Sequence, residues 1–437
     1  MTFAQNTFAE EVHQDRLNRK TSAIVFLAFA AAYFCSALLR AITATLSPIL
    51  TQEFTLHSRD LGLLAGGYFL GFAAVQLPLG TLLDRYGPKH VILYFLSLAV
   101  LGCLAFSMAR SFTWLLSARV LVGMGVGACL MAPLTGYRRW FDAATLLRAN
   151  SWMLMTGSLG MLASTLPVQW LMPLTGWRPL FWILAAMILF AMTLIAWVTP
   201  HWNMAPMLVT TCTALPPEGA ELAWDGPARR SETGYAPIWR SRYFQKMAPM
   251  AFFNYGGLLA VQTLWAGPWM VKVAGYTPLE SATGLFYING FMLLTFWIWG
   301  MVNPPLVQRG WSPDRLIRWG VPLSLLALAI NIAAGSATGW LGWTLFCMAS
   351  SVMGLTQPAI SMAFRASQAG RALSAYNLLV FVGVFVVQWS IGLLIDAFAA
   401  LGLEQAASFQ TAMGVLLCCC IASYGYFIST KADNWPQ

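Results

Sequence analysis

Apolar runs about as long as a bilayer is thick recur from Ser22 almost to the end of the chain. A membrane-crossing helix needs about 20 mostly apolar residues, and in hydrocarbon a helix satisfies every backbone polar group within itself. The runs are therefore read as membrane helices. Of the 437 residues only 9% are charged, against roughly a quarter in soluble domains. No soluble domain of useful size is left over.

Twelve helices fit the pattern, six at about 22–50, 60–83, 89–109, 112–139, 146–172 and 179–199, and six at about 244–272, 279–303, 314–336, 339–365, 371–397 and 403–429. The expected architecture is an all-α membrane protein of two six-helix bundles, 22–200 and 244–430, flanked by polar tails 1–21 and 431–437. Residues 201–243 carry Pro216-Pro217, Gly, Ser and Thr, and read as a flexible linker between the bundles. The first twenty residues hold three acids and no short apolar stretch with a small-residue cleavage site, so they read as a retained tail and not a signal peptide.

The net charge of +9 matters through its distribution. Lys and Arg in short loops mark the cytoplasmic side. With the N-terminus inside, nineteen basic residues fall on that side, and only Arg59, Arg110, Arg178 and Lys272 on the other. Both termini are expected in the cytoplasm of a cell whose inner membrane holds the chain. The basicity reads as topology, with no nucleic-acid partner. The eight cysteines show no CxxC pair or Cys/His ligand spacing, so they read as small buried hydrophobes, with no metal site.

The halves are faintly alike. Pro48 leads through a short loop to Gly62-Leu-Leu-Ala-Gly-Gly-Tyr68, and Pro268 through a similar loop to Gly284-Leu-Phe-Tyr287-Ile-Asn-Gly290. Such repeats are typical of transporters that hold substrate near the midplane, where the repeats meet.

Helix 2 runs into Gly80-Thr-Leu-Leu-Asp84-Arg85-Tyr-Gly87-Pro88-Lys89. Gly80 allows a close helix neighbour, Asp84 offers a carboxylate to another helix's N-terminus, and Arg85 and Lys89 hold the loop at the interface. This G-x-L-x-D-R-x-G-x-K spacing closely resembles the loop between helices 2 and 3 of the major facilitator superfamily. Pro88 departs from it, standing where a second basic residue is common. The loop after helix 8 retains Arg309-Gly310 but has no acid at the place of Asp84. The resemblance implies a carrier of a small-molecule substrate, without cofactor, rocking two bundles around a central site. It also implies that Asp84 locks a cytoplasmic gate against the start of helix 11, near Gly370-Arg371.

Helix 4 carries Arg119-Val-Leu-Val-Gly123-Met-Gly125-Val-Gly127, similar to that family's R-x-x-x-G-x-G pattern, in which the glycines permit tight packing. Helix 1 carries Arg40. At 1.5 Å per residue Arg40 lies about 15 Å short of the external end of its helix and Arg119 about 10 Å in from the external end of its own, so the two could share one cavity. No carboxylate and no histidine falls mid-helix. Two arginines without acids make an electropositive cavity, suited to an anionic or zwitterionic solute through charge-assisted pairs. Proton coupling then lacks a carrier residue in the membrane.

Polar residues in lipid must find partners. Tyr33, Tyr68, Gln76, Asn254, Tyr255, Gln262, Trp265, Tyr287, Asn289, Gln357, Tyr376 and Asn377 are therefore expected to face the interior, as helix-to-helix hydrogen bonds or as cavity lining. The expected function is alternating-access transport of a small organic acid, amino-acid derivative or peptide, by a monomer working in the uptake direction. The alternative is a proton-coupled exporter of drugs. Helix 5 disfavours it, since Gly157-Ser-Leu-Gly160 departs from the G-P-x-x-G-G-like pattern of the family's drug exporters. No cluster of nucleophile, base and orienting group suggests an enzyme.

Overall fold

A computed structural model describes residues 17–141, 143–200, 234–364 and 366–430. Most of the linker and of both tails lies outside the described residues. Among the described residues ten helices are long and apolar enough to cross a bilayer: α1 (Lys20–Phe54), α2 (Ser58–Leu83), α3 (Arg85–Ser107), α4 (Phe112–Tyr137), α6 (Trp177–Val198), α8 (Pro278–Asn303), α9 (Pro313–Ala337), α10 (Trp340–Ala363), α11 (Gln368–Ala400) and α12 (Gln405–Ser429). Two more crossings are irregular. α5, residues 143–175, breaks between Ala163 and Leu166. α7, residues 242–272, contains π-helical turns at Met250–Tyr255 and Val261–Trp265. With twelve crossings, both described ends of the chain emerge on one face, called here the terminal face, and the α1–α2 loop lies at the far face.

Local chemistry explains where helices start, bend and stop. Asn18 caps α1 by accepting the Thr21 N–H at 2.8 Å. Pro48 lies inside α1, which continues past its expected end at about residue 50 to Phe54. A proline withholds the N–H that would bond the carbonyl four residues back. Here that carbonyl, Ala44, accepts the Ser47 hydroxyl at 2.8 Å instead. Pro268 likewise lies inside α7, directly after a π-helical turn. The break in α5 precedes Pro167, and the Ser164 carbonyl accepts Thr45 Oγ1 of α1 at 2.8 Å.

Close backbone contacts hold the first bundle together. A Cβ on Gly123 would sit 2.0 Å from the Tyr68 carbonyl oxygen, and one on Gly125 2.2 Å from the Ala99 nitrogen. The glycines of α4 thus bring it against α2 and α3, as their spacing predicts.

Between bundles, among the described residues, the same device works in the far half. A Cβ on Gly62 would meet the Gln388 carbonyl oxygen at 2.4 Å, one on Gly392 the Ser58 carbonyl oxygen at 2.3 Å, and one on Gly267 the Ala44 carbonyl oxygen at 3.2 Å. Phe72 and Phe381, ring centroids 4.4 Å apart, form the innermost layer of this seal. Towards the terminal face the contact between α2 and α11 thins. The space beside Gly80, expected to admit a neighbouring helix, holds no atom within 4 Å, and the same is true of Gly370. α2 and α11 are closed together at the far face and draw apart towards the terminal face.

Candidate functional site

Arg40 stands where the seal gives way. It lies one helical turn from Ala44, whose carbonyl abuts Gly267 of α7. Its guanidinium is 5.9 Å above the Phe72 ring, within electrostatic reach of the Tyr33, Tyr68 and Tyr255 hydroxyls. The side chain is partly exposed, and its buried Nε has no hydrogen-bond partner.

Arg119 does not share that exposure. It is 0% exposed, lies over the Tyr68 ring at 5.1 Å and donates from Nη2 to the Arg40 carbonyl at 3.5 Å. Its Nε and Nη1 have no partner. Tyr68 in turn donates to the Ser36 carbonyl at 3.1 Å. Arg119 and Tyr68 therefore sit behind Arg40, gripping α1 at two carbonyls one turn apart. Among the described residues no ion pair involves either arginine.

The second bundle brings fewer of the expected residues to the cleft. Tyr255 approaches Arg40 and Tyr33. Gln357 Nε2 donates to Asn377 Oδ1 at 3.1 Å, and both side chains are partly exposed. Phe381, Phe385, Gln388 and Gly392 form the stripe of α11 that meets α2. Asn377 extends that stripe by one turn beyond the contact, so its helical phase points it at the parted region. Tyr376 beside it is buried and donates to Thr356 Oγ1.

The remaining expectations resolve as internal bonds or seal. Asn254 donates to Ser423 Oγ of α12 at 2.6 Å, and Gln262 to Asn289 Oδ1 at 3.1 Å. Gln76 is buried and donates to the Phe72 carbonyl of its own α2 at 3.3 Å. Trp265, expected to face the interior, is fully buried in the seal and donates from Nε1 to the Gln388 carbonyl at 3.1 Å. Tyr287 departs from the expected inward direction. It is 44% exposed, with its ring 4.9 Å from that of Trp340. The aromatic pair with Trp340 gives the ring a packing partner without an inward position.

At the terminal face, Gly87 has φ 73° and ψ 163°, a conformation essentially reserved for glycine, and it turns the chain between α2 and α3. Lys89 is buried and donates from Nζ to the Thr199 carbonyl at 2.9 Å, just past the end of α6. It ties the loop to its own bundle, in the place where a helix end favours a cation. Arg85 lies over Tyr86 at 5.3 Å, and Arg371 Nη1 donates to the Gly234 carbonyl at 3.2 Å. The side chain of Asp84 lies outside the described residues.

The family model of the Major Facilitator Superfamily matches residues 29–388. The chain belongs to the major facilitator superfamily. Similar solved structures include a bacterial homologue of the human lysosomal transporter Spinster, in its inward-facing, unoccupied form, with TM-score 0.74, 16% identity and 95% and 98% of the two chains covered. The D-xylose–proton symporter matches with TM-score 0.71, 12% identity and coverages of 93% and 97%. Among relatives, a probable L-galactonate transporter of Escherichia coli K12 is 25% identical over 78% of this chain and 70% of its own. A probable sulfoacetate transporter, SauU of Cupriavidus necator, is 24% identical over 56% of either chain. The multidrug resistance protein MdtL of Escherichia coli is 24% identical over 82% of this chain and 91% of its own.

This member of the superfamily is thus a multi-pass membrane transporter of organic small molecules, and not an enzyme. Sequence reasoning missed two parts of its interior. Phe72 and Phe381 look like any lipid-facing phenylalanine until the bundles are placed together. Gln388 is fully buried and donates from Nε2 to Thr263 Oγ1 at 2.9 Å. It is a polar residue inside an apolar run, and the rule that singled out Asn377 applies to it equally.

Proposed function

We propose that this transporter carries a small organic anion or zwitterion into the cell across the bacterial inner membrane by alternating access. Arg40 carries the reading: it is a partly exposed cation at the apex of the cleft, surrounded by hydroxyls and aromatic rings, with an unpartnered Nε. A cation in a membrane interior is costly unless a counter-charge or a water-filled cavity receives it. The solute's carboxylate or sulfonate is that counter-charge, bound through charge-assisted hydrogen bonds. Two of the relatives are named for organic anions, galactonate and sulfoacetate. The basic residues of the terminal face orient it towards the cytoplasm, which makes the described state inward-facing. Tyr33 and Tyr255 flank the anion, and Gln357 and Asn377 offer amides one turn nearer the cytoplasm. Asp84, Arg85 and Arg371 act at the cytoplasmic gate when that side closes.

A thermal-shift series on detergent-solubilised protein tests this. Small carboxylates or sulfonates should stabilise the wild type. Arg40→Ala should lose that stabilisation, about 1.5–3 kcal/mol of binding for a charged hydrogen bond, and Arg40→Lys should recover part of it. Stabilisation by cations alone would refute the proposal. Similarity to MdtL supports a second reading, export of amphipathic compounds. Under that reading, neutral ligands stabilise the protein and Arg40→Ala leaves transport intact.

A further inference from the structure

The far-face seal has a polar closure of its own. Asp396, near the end of α11, accepts the Ser58 N–H through Oδ1 at 3.1 Å and the Arg59 N–H through Oδ2 at 2.9 Å. Those donors are in the first turn of α2, where backbone N–H groups lack intrahelical partners and the helix dipole favours negative charge. The donors belong to one bundle and the carboxylate to the other. Each bond therefore exists only while the far face is shut.

We propose that Asp396 is an inter-bundle latch that holds the far face closed and sets the balance between the transporter's two orientations. Among the described residues no group of the first bundle accepts these two N–H groups; Asp60, the acid of that turn, accepts the His57 N–H at 3.0 Å instead. The His57 side chain, 67% exposed, lies 3.4 Å from Asp60 Oδ2, and the Arg59 side chain lies 3.7 Å from Asp60 Oδ1. The local charges thus satisfy one another, which leaves the Ser58 and Arg59 amides to Asp396. Contact is close enough to make the pair specific: a Cβ on Gly392, one turn before Asp396, would lie 2.3 Å from the Ser58 carbonyl oxygen. When the bundles rock apart at the far face, carboxylate and amides must each be resolvated. That cost falls only on the open state.

The test uses nitroxide pairs at Arg110 and Leu401, exposed loop positions of the two bundles at the far face, in an otherwise cysteine-free full chain. Double electron–electron resonance reads the open and closed populations. Asp396→Asn keeps the size of the group and removes its charge. It should raise the open-to-closed ratio about tenfold, as expected for a pair of charge-assisted bonds. Ser58→Pro removes one donor at the first helical position, where proline is well tolerated, and the extended backbone of His57 (φ −78°, ψ 169°) suits a following proline. It should shift the ratio in the same direction, and the double variant should shift it by less than the product of the two. Unchanged distance distributions in both single variants would overturn the proposal, and so would independent, multiplicative effects.

Discussion

At the scale of single residues, the two arginines show how far chemistry can be read without coordinates. Both were legible as costly cations needing partners, because no acid or histidine lies mid-helix. Which of them meets the cleft was not, since that depends on how α1 and α4 rotate against α2. The structure separates them: Arg40 is partly exposed, and Arg119 is 0% exposed with two unpartnered nitrogens. Replacing a poorly satisfied buried charge by an apolar side chain of similar size is often neutral or stabilising, whereas truncation leaves a cavity. Arg119→Met should therefore change stability by less than about 1.5 kcal/mol, and Arg119→Ala should cost about 2–5 kcal/mol. Thermal melts with and without an anionic ligand check this, and the ligand-induced shift should survive in Arg119→Met. Loss of that shift alone would place Arg119 in contact with the solute.

At the scale of elements, apolar length predicted the crossings well, because a helix in lipid has one thickness to span. Interruptions were less legible. Pro48 and Pro268 fall inside the expected helices, but their sequence does not say how the backbone there is satisfied: Ser47 supplies the bond that Pro48 withholds, and a π-helical turn precedes Pro268. Glycines carry the packing, but the sequence does not say whether a given glycine meets its own bundle or the other. Gly123 abuts Tyr68 in the same bundle, and Gly62 abuts Gln388 across the seal. Alanine at either position overpacks a backbone contact, at about 1–3 kcal/mol. Gly123→Ala should lower the melting temperature and leave the far face shut. Gly62→Ala should instead favour the state in which the far face opens, with little loss of melting temperature. The nitroxide pair at positions 110 and 401 distinguishes the two outcomes, and equal melting losses with no change in distance would contradict the assignment of Gly62 to the seal.

At the scale of the molecule, the arrangement is asymmetric along the membrane normal. The far half is held between bundles by backbone-to-glycine contacts and by Asp396, while in the terminal half Gly80 and Gly370 have no neighbours. A carrier in this state offers its site from one side only, so its binding groups should differ in reactivity across the membrane. Asn377 is the sharpest probe, since it continues the α11 stripe just past the point where α2 withdraws. In Asn377→Cys, with the native cysteines replaced, a membrane-impermeant maleimide should react from the terminal face. It should be slower from the far face by about tenfold or more, the ratio expected when the alternative state holds at most a tenth of the molecules. An organic anion bound at Arg40 should slow the reaction further by covering the cleft. Asp396→Asn, which releases the latch, should raise far-face labelling at the expense of terminal-face labelling. Equal labelling from both faces in the unlatched and latched proteins would mean that the seal between α2 and α11 does not control access to the site.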